Sequence, residues 1–167
     1  KENRTYTVLA RVYALSREIL QEEAFPLEKL QIRASHAGKI RFSLKYTEEE
    51  LLLLRLALKE EGTEEILAEN EYLFTAGQDL GAVFRMEAPE LTAEGQEDGF
   101  VLKNSGRSAA LFVFLTKEKG TPVYWKDNYF TLLPGEEKKL TGEGDWKASF
   151  VQALNMEYQK LEVTQCR

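Results

Sequence analysis

"VYWKDNYFTLLPGEEKKL", residues 123–140, packs two tyrosines, a tryptophan and a phenylalanine around an Asp-Asn pair and then turns at Pro134-Gly135. Any strand through this run must bury one of its two side-chain faces, because successive residues point to opposite sides. Pro134-Gly135 suits positions i+1 and i+2 of a type II turn, the glycine supplying the positive φ. Glu136 to Leu140 then reads as the strand that returns. The stretch is therefore β-structure around a tight turn, and the rest of the chain follows the same period.

In "TYTVLARVYAL", Tyr6, Val8, Ala10 and Val12 share one face against Thr7 and Arg11. In "GKIRFSLKY", Ile40, Phe42, Leu44 and Tyr46 alternate with Arg41, Ser43 and Lys45. Both have the pattern of a strand with one buried and one wet face. "SAALFVFLT" (108–116) is instead a continuous apolar run rich in β-formers, which predicts a central strand covered on both sides. "TEEELLLLRLALKEEG" pulls two ways. Thr47 with Glu50 three residues on makes a capping box, while Leu54, Leu56 and Leu58 alternate with Arg55, Ala57 and Lys59. The spacing predicts one helical turn at 48–51 leading into a hairpin of strands 52–59 and 66–74.

Turn signals recur at His36-Ala37-Gly38, Glu61-Gly62, Gly77, Gly81, Asn104-Ser105-Gly106, Gly120, Pro134-Gly135 and Gly142-Glu143-Gly144. Short strands at this spacing predict an all-β chain of two tandem immunoglobulin-like antiparallel β-sandwiches rather than βαβ units. The glycines of "GQDLG" and the proline after them place the boundary near residue 82. The domains expected are 1–82 and 83–167, roughly 80 residues each and within the size range that folds alone.

Composition narrows the function. Of 167 residues, 43% are hydrophobic and 30% charged, as in a folded chain. The net charge of -6, without any basic stripe, argues against nucleic acid as a partner. The longest apolar runs, such as Leu51–Leu54 and Ala109–Leu115, are too short to span a bilayer, so no membrane partner is expected. The chain starts on Lys1 and carries no signal peptide; it is expected to be a piece of something longer. Cys166, the single cysteine, allows no internal disulfide.

The segment "FVLKNSGRSAALFVFLTKEKGTPVYWKDNYFTLLPGEEKKL" resembles the last immunoglobulin-like domain of glycoside hydrolase family 2 enzymes, in the β-mannosidase and exo-β-glucosaminidase branch. That domain carries an N-x-G turn, an A-x-F-V-x-L strand and a D-N-Y-F-x-L-x-P-G-E string. They are matched here by Asn104 and Gly106, by Ala110 to Leu115, and by Asp127-Asn128-Tyr129-Phe130 with Leu133-Pro134-Gly135-Glu136. Upstream, "VYALSREIL" and "LRLALKEEGTEEILAENEYLF" are similar to the preceding domain of those enzymes. The tail "LNMEYQKLEVTQCR" runs past the last strand of the family pattern and has no place in it.

The resemblance implies that the chemistry lies elsewhere. In that family two glutamates, about 5 Å apart, work on a (β/α)₈ barrel, and a barrel needs roughly 250 residues. This fragment is thus expected not to be an enzyme, while its parent chain is expected to be a β-mannosidase-like glycoside hydrolase. Clusters such as Glu48–Glu50, Glu64-Glu65 and Glu136-Glu137 are solvated faces or turns rather than catalytic pairs. His36, the lone histidine, sits in a turn beside Ser35, and no second group marks a nucleophile and base. No zinc spacing, calcium loop or phosphate loop is present, so no metal or cofactor is expected.

The aromatic run retains two readings. In one, Tyr124, Trp125 and Tyr129 form a sugar-stacking platform, and Asp127 and Asn128 bond hydroxyls. In the other, favoured by the alternation, Trp125 or Tyr124 enters the core, Phe130 and Leu132 face inward, and Asp127-Asn128 make a bend whose side chains bond backbone. Two functions follow. The first is a non-catalytic ancillary region that supports the missing barrel, with the remaining domains of the parent glycosidase as partners. The alternative is a carbohydrate-binding or cell-surface adhesion module with an oligosaccharide as partner. Localisation is not encoded; a bacterial polysaccharide-degrading parent implies the periplasm or the exterior.

Overall fold

The computed structural model describes residues 4–27, 36–42, 51–63, 65–75, 81–117, 123–144, 146 and 149–164. The chain divides into two compact units, Lys1–Asp79 and Leu80–Arg167.

The first unit is built on β1 (Tyr6–Ala14), β2 (Ile19–Leu27), β3 (Leu51–Glu60) and β4 (Ile66–Thr75). They form one antiparallel sheet in the order β2-β1-β3-β4. The period of two sorts the side chains. Ala10, Val12, Leu52 and Leu54 bury together, and Phe25, Ile40, Phe42, Leu56 and Phe74 pack against them. Phe42 meets Phe74 edge-on at 5.0 Å, an arrangement that aligns the positive ring edge with the negative face. On the other face the registered pair Arg55 and Glu71 closes to 2.7 Å with both side chains nearly buried. The Arg55 guanidinium also lies 5.5 Å from the centre of the Tyr13 ring. Pairing offsets the large cost of taking either charge out of water alone.

The hairpin anticipated at 52–59 and 66–74 is formed by β3 and β4, turning at Gly62 with φ 82°. The strand anticipated from Ile40 is not in a ladder over Ile40–Phe42, although both side chains still pack on the core. Residues 43–46 lie outside the described residues. So does the anticipated helical turn at 48–51, apart from Leu51, which opens β3. Gly77 and Gly120, named above as turn signals, also lie outside them.

The second unit opens with a short helix, α1 (Gly81–Arg85), within which the anticipated boundary at 82 falls. Then come β5 (Leu91–Gln96), β6 (Gly99–Asn104), β7 (Ala110–Lys117), β8 (Tyr124–Trp125) and β9 (Phe130–Leu132). They are followed by β10 (Glu137–Glu143), β11 (Ser149–Ala153), β12 (Met156–Lys160) and β13 (Val163–Thr164). One sheet has the order β13-β5-β6-β10-β8 and the other β12-β11-β7-β9. The runs β5-β6-β10 and β12-β11-β7 occupy the A-B-E and G-F-C positions of an immunoglobulin sandwich. Phe100, Leu102 and Leu140 face Val113, Leu115, Phe130, Leu132 and Val151 across the core. The all-β, immunoglobulin-like fold is as anticipated.

Two details differ from the sequence reading. β7 is central in its sheet, but although Ala110, Val113 and Leu115 join the sandwich core, Phe114 and Thr116 remain partly exposed on the outer face. The continuous apolar run reflects aromatic neighbours on that outer face rather than a second covering layer. The tail, unplaced by sequence, belongs to the sandwich as far as Thr164. β12 pairs with β11, Leu161 is buried, and β13 crosses to add a parallel edge to β5.

Candidate functional site

The stretch from Tyr124 to Glu143 crosses the sandwich twice. β8 pairs with β10, with Trp125 opposite Gly142 and Tyr124 opposite Glu143. The chain then passes to the other sheet, where Phe130 of β9 faces Val113 of β7, and returns through Pro134-Gly135 to β10. The strand after the turn is therefore not the hairpin partner of the strand before it. A chain that changes sheets leaves ladder groups unpaired, and buried backbone groups must be satisfied. Side chains of the run do this.

Asn128 sits at the crossing. Its Oδ1 accepts the Leu115 N–H at 2.7 Å, and its Nδ2 donates to the Leu115 carbonyl at 3.3 Å. One amide thus imitates the two hydrogen bonds a neighbouring strand would make. Tyr129 follows in the left-handed region, φ 62°, which directs the chain into β9. Phe130, Thr131 and Leu132 are all buried.

The turn is fastened as firmly. The Glu136 N–H donates to the Leu133 carbonyl at 3.0 Å, and Gly135 has φ 73°, both as a type II turn requires. The Glu136 carboxylate accepts the Leu133 N–H at 2.9 Å. Asn104 lies against this turn: its carbonyl accepts from Gly135, and its N–H donates to the Glu136 carbonyl. The fully buried Asn104 side chain donates to the carbonyls of Ser108 and Leu132 at 2.8 and 2.9 Å and accepts from the Gly106 N–H at 3.1 Å. The N-x-G and P-G-E strings, about thirty residues apart in the chain, are thus one hydrogen-bonded corner. Asn155 plays a similar part where β7 bulges, accepting from Leu111 N–H at 3.1 Å and donating to the Ala109 carbonyl at 2.9 Å.

The five residues named as sugar contacts are placed as follows. Tyr124 and Tyr129 are exposed, by 69% and 67%, enough for either ring to meet a ligand. Tyr129 stacks on Phe114 at 5.6 Å, which commits one of its faces. Trp125 is half-buried, edge-on to Phe100 at 5.3 Å, and its indole N–H has no hydrogen-bond partner among the described residues. Gly142 lies under this ring, where a Cβ would come within 2.9 Å of it. Asp127 pairs with Lys138 at 2.6 Å, and the Lys138 ammonium stands 4.9 Å from the Phe130 ring. Asn128 is spent on Leu115. The two tyrosines are the exposed members of the set, and its polar members are bonded to the protein.

Chemistry of other kinds has little to work with. His36 is exposed in its segment. Among the described residues no three His, Cys, Asp or Glu side chains converge on a point, and no helix is long and apolar enough to cross a membrane. Sequence reading passed over Phe150 and Tyr158, which stack at 4.7 Å and 8° on the outer face of β11 and β12. Their signal is an aromatic at the wet position of an alternating strand.

Comparison with known proteins gives the sandwich its relatives. Residues 86–158, less than half of the chain, match Ig_mannosidase, an Ig-fold domain. No curated protein matches the sequence. The exo-chitosanase CsxA of Amycolatopsis orientalis is similar in structure, with a TM-score of 0.64 and 16% identity over 96% of this chain and 24% of that one. A second structure of CsxA, there an exo-β-D-glucosaminidase, gives 0.64 and 17%. The β-D-mannosidase of Dictyoglomus thermophilum gives 0.50 and 17% identity over 98% of this chain and 19% of that one. At these identities the likeness is one of fold, and the chain spans about a quarter or a fifth of the solved structures it matches. The resemblance to the immunoglobulin-like domains of family 2 glycosidases, carried by Asp127–Phe130 and Leu133–Glu136, is borne out.

Proposed function

We propose that this chain is a non-catalytic ancillary region of a β-mannosidase-like glycoside hydrolase, two tandem immunoglobulin-like modules that support a catalytic barrel carried elsewhere in the parent chain. The observation that carries this reading is the coverage. Nearly all of this chain aligns with a small part of much longer glycosidases. The site geometry favours it too. Asn104, Asn128, Glu136 and Asn155 use side-chain polar atoms to complete the sandwich.

A second reading, oligosaccharide binding on this surface, draws support from the exposed rings of Tyr124 and Tyr129. One titration separates the two. The purified chain is mixed with β-1,4-manno-oligosaccharides and with chito-oligosaccharides up to millimolar concentration, following the emission of Trp125 and Trp146. A flat titration, together with no hydrolysis of aryl β-mannoside or aryl β-glucosaminide, is expected. Saturable binding that disappears in a folded Tyr124→Ala variant would replace the ancillary reading with a carbohydrate-binding module.

A further inference from the structure

The outer face of the sheet β12-β11-β7-β9 is unlike a solvent-facing surface of an acidic chain. Antiparallel register puts Phe114 opposite Gln152 and Thr116 opposite Phe150, so these four share that face. Tyr158 of β12 stacks on Phe150 and Tyr129 stacks on Phe114, which extends the row across the full width of the sheet. Three inter-strand steps make it about 14 Å wide. The six residues are four aromatics, a glutamine and a threonine. These six are uncharged in a chain that is 30% charged, while the register also sets Lys160 on this face, opposite Phe150 on the edge strand. Aromatic enrichment with few charges marks the centre of a protein interface, and here Tyr129 and Tyr158 are exposed beside the partly buried Phe114 and Phe150.

We infer that this face seats another folded domain of the parent chain, an inference that rests on the ancillary reading above. Two observations choose that occupant. The glycosidases whose fold this chain shares are four to five times longer, as coverages of 24% and 19% imply, so an equivalent parent supplies ample folded surface to cover the row. The rings also stack in pairs, at 8° and 27° between planes, so each has one face committed to its neighbour and less face to offer a pyranose.

The test labels a cysteine in the middle of the row. Gln152→Cys, in a Cys166→Ser background, is made in the 167-residue chain and in the product of the complete reading frame, with Thr92→Cys on the other sheet as the control. Thr116→Cys repeats the measurement on the neighbouring strand in case Gln152→Cys fails to fold. Maleimide labelling of the Gln152→Cys variant is expected to slow at least tenfold in the longer protein while that of Thr92→Cys changes less than twofold. Equal rates at 152 in the two proteins would overturn the inference. Slowing of the label in the 167-residue chain by added manno-oligosaccharide would overturn it in favour of a sugar site. Glycosidase activity of the longer protein is measured alongside. Its absence with position 152 still protected counts against the ancillary reading, whereas activity with position 152 unprotected counts against this face alone. A reading frame with no further domain overturns both.

Discussion

The two units reach β-structure by different means. The first uses strands of nine and ten residues, and β1 stays in register with β3 over its whole length. Its backbone pairs with itself, and side chains are left to sort by face. The second uses strands of two to eight residues that change sheets, and its ladders end early. There, the amides of Asn104, Asn128 and Asn155 stand in for missing strands. Long regular sheets draw their stability chiefly from burial, while a sandwich with crossings also depends on a few buried polar side chains whose loss leaves orphaned backbone groups.

Three substitutions test that contrast. Leu53→Ala, at a fully buried position in the first unit, should have the largest effect, a loss of about 3–5 kcal/mol of stability. Urea unfolding followed by far-UV circular dichroism measures it. A loss below about 1 kcal/mol would mean that the first sheet does not depend on burial in this way. Asn104→Ala should cost about 2–4 kcal/mol, since it strands the Ser108 and Leu132 carbonyls and the Gly106 N–H. Both tryptophans lie in the second unit, so the unfolding midpoint of their emission reports this change. If Asn104→Ala proves as mild as a surface change, the polar corner is dispensable and the contrast fails. Gly135→Ala should cost least, about 1–2 kcal/mol, because a Cβ is strained at φ 73°. An unchanged midpoint there would show the turn relaxing to another type.

How much of this was legible depended on distance along the chain. The hairpin of β3 and β4 could be read because Leu54, Leu56 and Leu58 alternate and a glycine turn follows. The type II turn could be read because Pro134-Gly135 suits it locally. The job of Asn128 could not, since its partner Leu115 is thirteen residues away on another strand and nothing in "DNYF" names it. The same holds for Trp125. Alternation requires one face to be buried, yet its half-buried place beside Phe100 follows from β8 joining β10 rather than β9. The tail escaped for a related reason: β13 is two residues long and gains meaning only from the edge of β5 it meets.

The period of two, the turn residues and the length of the apolar runs were sufficient for the all-β class, the turns and many inward-facing residues. Each depends on neighbours within a few positions, where covalent geometry alone restricts the chain. Which sheet each short strand joins, which amides complete the ladders and which aromatics gather on an outer face were settled only in three dimensions. Those outcomes depend on backbone groups and rings far apart in sequence, brought together when the two sheets close over Phe100, Val113 and Leu140.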